Sequence, residues 1–239
     1  MFINEQQVVQ LLNQIIAANQ WVFIAALQLT GELLWLVNPL LFIWVWYSGA
    51  SPHVQNTRSR EAVHANRQRV LLAFLSASVA FALARFGSGL FARPRPFVEL
   101  ALQVPVSDEI WQGIVAALGS TGSFPGDVAA FWFAQAVVLR GAGRGIGWLT
   151  AGIGFVFVFL RMGLGYEYPT DVIAGVCLGV LLGTAVLLAR HRLNWLTRPV
   201  LMMFGRFPVI MYPLALLFLF DITQRMAWLF AIIAVLLGI

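Results

Sequence analysis

The sequence predicts an all-α, polytopic membrane protein, and its composition and hydropathy support that prediction. Hydrophobic residues make up 60% of the 239 residues and charged residues only 10%, whereas soluble domains carry roughly 25% charged residues. The mean hydropathy is +0.83. Several stretches of about 18 or more residues carry almost no charge, and such a stretch can cross a bilayer core of about 30 Å as a helix. We therefore expect a bundle of about six transmembrane helices.

Residues 1–20 are predicted to form an amphipathic helix that lies on the membrane surface. Asn4 is a suitable N-cap for this helix. Apolar side chains follow at helical spacing, and these are Val8, Leu11, Leu12, Ile15 and Ile16. No basic residue precedes the helix, so we expect no cleavable signal peptide here.

Residues 21–192 hold five apolar stretches that are candidate membrane spans. They cover about residues 27–48, 70–91, 124–140, 146–164 and 171–189. An additional C-terminal segment, 193–239, contains a further apolar stretch at 200–220. The last stretch, 226–239, is short for a membrane crossing. A short helix is expected at 107–118, within the long loop 92–121.

The connecting loops carry most of the arginines, and there is no lysine. The loops at 51–69, 140–144 and 190–198 hold nine arginines and fall on one side of the membrane by helix parity. By the positive-inside rule this side is cytoplasmic, and the loops at 92–121 and 165–170 face the periplasm or the exterior. Topology therefore explains the net charge of +5 without nucleic acid binding.

The densest polar cluster lies in the outward-facing loops and contains no histidine. Residues 93–96 read Arg-Pro-Arg-Pro, a stiff segment that holds two guanidinium groups suited to phosphate oxygens. Residues 123–127 read Ser-Phe-Pro-Gly-Asp and open the third span, where free backbone N–H groups at a helix N-terminus favour an anion. Each segment also has a plainer explanation, snorkelling arginines for the first and an ordinary N-cap for the second.

Charged residues within the apolar stretches point to the same outward-facing region. Arg161 lies near the outer end of the fourth span, and Glu167 and Asp171 follow it. An arginine in an apolar helix needs an anionic partner, either a carboxylate of the chain or a phosphate. A salt bridge of Arg161 with Glu167 or Asp171 is therefore the alternative to a phosphate ligand. Glu32 and Arg85 are two further charges within predicted spans.

In their order and on one membrane face, these segments resemble the type 2 phosphatidic acid phosphatase superfamily. That superfamily includes lipid phosphatases, bacterial undecaprenyl-diphosphatases and vanadium haloperoxidases. The resemblance covers about residues 20–192, which we interpret as a phosphatidic acid phosphatase-like membrane domain closest to the undecaprenyl-diphosphatase-like members. The first family motif is Lys, six residues, then Arg-Pro. Here Arg95 and Pro96 match, and Ser88 stands in place of the lysine.

The other two family motifs are present without their histidines. The second motif, Pro-Ser-Asp-His in the bacterial branch, reads Pro-Gly-Asp-Val at 125–128. The third motif is Ser-Arg, five residues, His, three residues, Asp. Here Leu160 replaces the serine, Glu167 replaces the histidine, and Arg161 and Asp171 match.

The resemblance implies that the catalytic groups have been lost and that the binding groups remain. Glu167 stands where the family has its nucleophilic histidine, Val128 where it has the histidine that protonates the leaving oxygen, and Asp171 where it orients the nucleophile. We therefore expect no catalytic residue of the family type at these vestigial positions. The expected phosphate-binding set is Arg93, Arg95, Ser123, Gly126, Asp127 and Arg161. No metal or other cofactor is expected, because vanadate in this superfamily is bonded to the missing histidine and the arginines disfavour a dication.

Three functional hypotheses follow. The leading one is a non-catalytic protein of the bacterial cytoplasmic membrane that binds an anionic lipid head group, such as a polyprenyl phosphate, or serves as a subunit of a membrane assembly. The second is a lipid phosphate or diphosphate phosphatase with altered residues, in which Glu167 acts as base or nucleophile and Asp127 as acid. A transporter is disfavoured, because no further broken helices are apparent.

Overall fold

The computed structural model describes residues 4–48, 57–119 and 121–223, and no strand occurs among them. The helices in chain order are α1 (Glu5–Ala17), α2 (Gln20–Gln28), α3 (Leu34–Tyr47), α4 (Thr57–Phe91), α5 (Pro96–Glu99), α6 (Asp108–Leu118), α7 (Asp127–Leu139), α8 (Arg144–Gly163), α9 (Pro169–Leu188), α10 (Asn194–Arg206) and α11 (Pro208–Thr223). The prediction of an all-α membrane protein is confirmed.

Within the described ranges, three helical stretches are long and apolar enough to cross a membrane. They are Glu61–Glu99, Arg144–Gly163 and Pro169–His191. Glu5–Ala17 and Gln20–Gly31 pass the same test only as a pair, and they are bent by 110° at their junction. Shorter apolar helices cover Leu36–Tyr47, Asp127–Leu139 and Pro208–Leu217.

Several predicted boundaries were wrong. Residues 57–69 were expected to be a loop but form the start of α4, because arginine and glutamine are good helix formers. The predicted span 27–48 is broken at Gly31, whose ψ of −111° is not helical. The predicted stretch 200–220 is broken at Phe207, where the following proline disfavours helix. The stretch 226–239 and His53 lie outside the described residues.

The chain divides into two compact units. The first unit comprises Met1–Thr30 and Leu72–Ala189, and the second comprises Gly31–Leu71 and Arg190–Ile239. All of the site residues predicted from the sequence belong to the first unit. His64 and His191 belong to the second unit.

Close packing of α9 against α7 organises the first unit. Gly175, Gly179 and Gly183 recur every fourth residue on the buried face of α9. A Cβ atom built on any of them would lie 2.3 to 2.5 Å from a backbone carbonyl oxygen of α7 or its N-cap. Small residues thus let the two backbones meet, as in other membrane helix pairs. This contact fixes the N-termini of α7 and α9 next to each other.

The N-terminal helix α1 docks on the end of α8. Asn4 caps α1 through a capping box, as predicted. The buried side chain of Asn13 donates to the carbonyl oxygens of Gly163 and Gln103, both at 3.1 Å, and accepts the N–H of Gln103 at 2.8 Å. Only part of the predicted apolar face of α1 is packed against the protein. Leu12 and Ile16 are buried, whereas Leu11 and Ile15 are exposed.

Candidate functional site

The candidate site lies where helix ends of the first unit meet. α8 ends at Gly163, α9 begins at Pro169, and α7 begins at Asp127. The N–H of Gly126, the N-cap of α7, donates to the carbonyl oxygen of Asp171 at 2.9 Å. The two helix starts that carry the motif residues are therefore bonded to each other through their backbones.

The Arg-Pro segment is fixed to the neighbouring loops. Ala92 has a φ of 44°, and this left-handed conformation turns the chain out of α4. The N–H of Ser123 donates to the carbonyl oxygen of Arg93 at 2.9 Å, and its hydroxyl lies 3.3 Å from the same oxygen. The N–H of Phe97 donates to the carbonyl oxygen of Gly165 at 3.0 Å. The hydroxyl of Ser123, predicted to bind phosphate, thus contacts backbone.

The guanidinium group of Arg95 is buried and bonded to loop backbone. Its Nε lies 3.2 Å from the carbonyl oxygens of Leu118 and Thr121, and its Nη1 donates to that of Tyr166 at 2.9 Å. Its Nη2 donates to the Thr121 hydroxyl at 3.0 Å and to the Gly122 carbonyl oxygen at 3.2 Å. Arg95 therefore joins the loop after α6 to the turn between α8 and α9.

Arg161 is paired with carboxylates of the chain. Its Nε donates to Glu167 Oε1 at 2.7 Å, and both side chains are buried. Its Nη2 lies 3.6 Å from Asp127 Oδ1, while Arg85 Nη1 lies 3.4 Å from Asp127 Oδ2. The internal salt bridge that the sequence offered as an alternative to phosphate is present. We call Arg85, Arg95, Arg161, Asp127 and Glu167 the Arg161 cluster.

The second carboxylate oxygen of Glu167 has no hydrogen-bond partner among the described residues, although it is buried. It points towards Gly126, where a built Cβ atom would lie 2.9 Å from it. Burial raises the pKa of the Glu167 carboxyl, and the charge of Arg161 opposes that rise. Glycine at 126 thus makes room for the Glu167 carboxylate.

A second group of side chains surrounds Arg93. Its Nη1 donates to Asp171 Oδ1 and to the Thr170 hydroxyl, both at 2.7 Å, and its Nη2 contacts the Glu5 carboxylate. The guanidinium group stacks on the Tyr168 ring at 4.3 Å from its centroid. The Thr170 hydroxyl donates to Glu5 Oε2 at 2.6 Å. These five residues form the Arg93 cluster, which ties α1 to the start of α9.

Asp171 and Tyr168 organise the start of α9. Asp171 Oδ2 accepts the backbone N–H of Tyr168 at 2.9 Å, so this carboxylate both caps the helix and holds Arg93. The Tyr168 hydroxyl donates to Glu99 Oε2 at 2.7 Å. Burial and this hydrogen bond raise the pKa of the Tyr168 hydroxyl above its usual range.

The start of α7 differs from the prediction. Pro125 precedes the N-cap instead of occupying the first helical turn, and its peptide bond to the preceding residue is cis. Two N–H groups expected to be free are engaged, that of Gly126 by Asp171 and that of Val128 by Asp127 Oδ1 at 2.8 Å. The Val128 side chain is buried and apolar.

Sequence reasoning missed Glu5, Glu99 and Thr121 as members of this region. Nothing in their spacing signals the contacts, since Glu5 and Arg93 are 88 residues apart. The side chain of Glu32 lies outside those described. Among the described residues, no group of three or more His, Cys, Asp or Glu side chains is placed to hold a metal ion.

The chain matches a known protein family. A profile described as the PAP2 superfamily matches residues 69–195, which is just over half of the chain and contains all three motif segments. Comparison with curated proteins and with solved structures gave no match.

Proposed function

The chain belongs to the PAP2 superfamily, and on this premise we propose that it is a non-catalytic membrane member that binds an anionic lipid head group. Membership points to a phosphatase-like, lipid-related role. One observation favours binding over turnover: the residue at the nucleophile position, Glu167, is buried and salt-bridged to Arg161 at 2.7 Å.

The family's chemistry needs a nucleophile and a proton donor, and neither position supplies one. Glu167 Oε1 accepts a hydrogen bond from Arg161, and a carboxylate approaches a phosphate against charge repulsion. Val128 has no proton to give. Asp127 is held by Arg85, Arg161 and the Val128 N–H. Since loss of one essential group costs several orders of magnitude in rate, loss of both leaves little turnover by that route.

The electrostatics of the Arg161 cluster favour an anion. Its charged groups interact with one another, and three guanidinium groups face only two carboxylates, those of Asp127 and Glu167. The cluster therefore has a surplus of positive charge. Protonation of Glu167 would increase this surplus of positive charge. The Arg85 side chain is 39% exposed and makes only a 3.4 Å contact with Asp127, so it can turn to a phosphate oxygen.

In this proposal the predicted phosphate-binding residues have different roles, and Arg85, which was not among them, joins the site. Arg85 and the 28%-exposed Arg93 contact the head group at the rim. Arg161 and Asp127 set the charge beneath it, while Arg95, Ser123 and Gly126 hold the loops in place. Polyprenyl phosphates and phosphatidic acid have suitable head groups, and a bacterial cytoplasmic membrane with the site facing outwards is the setting we propose. Binding within a larger membrane assembly is a second form of the same proposal.

An enzyme with altered chemistry is the alternative, and the unpartnered Glu167 Oε2 favours it. A buried carboxyl with a raised pKa is a suitable general base for water. This candidate requires release of phosphate from the lipid, and it requires that release to stop in Glu167→Gln.

Native mass spectrometry of the purified full-length protein tests the binding proposal. Phosphatidic acid and phosphatidylcholine are added in parallel, and the lipid that stays bound is counted. We expect the wild type to retain phosphatidic acid selectively and Arg85→Gln to lose most of that selectivity. Arg144→Gln removes the same charge from the far end of α8 and is the matched control. Equal retention of both lipids by the wild type contradicts the proposal.

A further inference from the structure

Helix α10, in the second unit, has one face packed against the protein. Thr197, Leu201 and Phe204 are its buried residues. The Thr197 hydroxyl accepts a hydrogen bond from Gln68 at 3.3 Å, and the Phe204 ring lies 4.8 Å from that of Trp46. The orientation of α10 about its own axis is therefore fixed.

The other face of α10 carries apolar side chains that the described residues leave exposed. Trp195 is 73% exposed and Met202 is 66% exposed, and Met203 beside it is also exposed. Trp195 and Met202 are seven residues apart, so they lie on the same side of the helix, two turns apart. Tryptophan is enriched where a membrane meets water, because its ring is amphipathic.

Exposed arginines accompany this apolar face. Arg192, Arg198 and Arg206 are exposed, and none of them forms a salt bridge with a described side chain. The sequence contains no Asp or Glu from residue 172 to residue 220. The positive charge of this segment is therefore not balanced within it.

Helix α10 follows a candidate membrane span after only a few residues. The apolar stretch Pro169–His191 is long enough to cross the bilayer, and α10 begins at Asn194. The few residues between them reach about 10 Å at most. A helix with an apolar face and flanking arginines at that depth has the properties of an interfacial helix that binds anionic lipids.

We propose that the outer face of α10 lies in the membrane interface where α9 ends, and that Arg198 and Arg206 there bind the head groups of acidic phospholipids. Trp195 and Met202 enter the boundary between head groups and acyl chains. This site is separate from the Arg161 cluster in sequence, and it does not depend on the function proposed above.

Lipid titration of the full-length protein in detergent tests this site. Phosphatidylglycerol is added to the wild type and to Arg198→Gln/Arg206→Gln, and binding is followed by native mass spectrometry. We expect the apparent affinity to fall about fivefold per arginine, or about 25-fold for the pair. The matched control is Arg140→Gln/Arg144→Gln, which removes two charges from the turn between α7 and α8. A fall no larger than that of the control overturns the proposal.

A fluorescent probe on α10 tests its depth independently. Met202→Cys is labelled in a Cys177→Ser background, because Cys177 is exposed and would also react. In nanodiscs with acidic lipid we expect shallow lipid-borne quenchers to quench the probe more than water-soluble ones. Quenching by neither kind means that a protein covers this face, and quenching mainly from water means that the helix lies outside the interface. Either result overturns the proposal.

Discussion

Glu167 Oε1 lies 2.7 Å from the Nε of Arg161, and the Glu167 side chain is only 1% exposed. This pair occupies the third motif, where the superfamily resemblance places an arginine and a nucleophilic histidine. The carboxylate therefore accepts a hydrogen bond from Arg161 Nε, a donor that would otherwise be available to a phosphate. The remaining positive charge comes from Arg95 and from the partly exposed Arg85.

Glu167→Gln should change how stability depends on pH. Because the folded state raises the pKa of Glu167 above the ordinary value of about 4.3, its contribution to stability is fully present below that value and is lost as pH rises through the folded pKa. As pH rises from about 4.3 to the pKa of Glu167 in the folded protein, the wild type should therefore lose stability relative to Glu167→Gln. Thermal unfolding of both proteins in detergent measures the difference.

The matched control for this series is Glu109→Gln, at an exposed position in the first turn of α6. It removes a carboxylate at an exposed position, so its effect on the unfolding temperature should be smaller than that of Glu167→Gln. The expectation is contradicted if the difference in unfolding temperature between the wild type and Glu167→Gln does not change with pH.

Gly126→Ser, which introduces the serine that the superfamily resemblance implies at this position, should destabilise the protein by about 1 to 3 kcal/mol because the new side chain overpacks the site. A Cβ atom there meets Glu167 Oε2 at 2.9 Å and the Asp171 carbonyl oxygen at 3.1 Å. Glu167→Ala removes the first of these contacts. In a double-mutant cycle, Gly126→Ser should therefore cost less in the Glu167→Ala background. Additive effects would mean that Gly126 and Glu167 do not contact each other.

Gly179→Ala should destabilise the α7–α9 contact by about 1 to 3 kcal/mol. The added methyl group would lie 2.4 Å from the Ala130 carbonyl oxygen, which belongs to a helix backbone and cannot easily move. Gly152→Ala on α8 is the control, since nothing lies within 4 Å of its Cβ position. There alanine favours the helix and should be neutral or slightly stabilising. Equal unfolding temperatures for the two variants would show that the glycine stripe does not set the helix spacing.

Asn13→Ala should release α1 more than Glu5→Gln does. Asn13 is 2% exposed and makes three hydrogen bonds to backbone, so its loss leaves the buried Gly163 carbonyl and two partly buried groups of Gln103 without this partner. The pair between Glu5 and Arg93 is partly exposed and is worth about 1 kcal/mol or less. Hydrogen exchange of the α1 amides measures the difference. Faster exchange in Glu5→Gln than in Asn13→Ala would mean that the ion pair is the main attachment.

The sequence predicted those features that depend on local chemistry. The cap at Asn4 and the helix expected at 107–118, which spans Asp108–Leu118, are each determined within a few residues. The pairing of Arg161 with Glu167 was one of the alternatives that the sequence left open, since a phosphate or Asp171 could also have been the partner. The binding of Arg95 to loop carbonyls was not predictable, because those carbonyls converge only in the folded chain. The contact between Gly126 and Glu167 had one indication in the sequence, since the superfamily resemblance implies a different residue at both positions.

The most direct test of the central claim is a single-turnover measurement of phosphate release. Purified protein in excess is incubated with radiolabelled undecaprenyl diphosphate or phosphatidic acid, and bound lipid and free phosphate are measured in the same sample. We expect intact lipid to stay bound to the protein and phosphate release not to exceed the protein-free rate. Release above that rate, abolished by Glu167→Gln, would contradict it and establish an enzyme that uses Glu167.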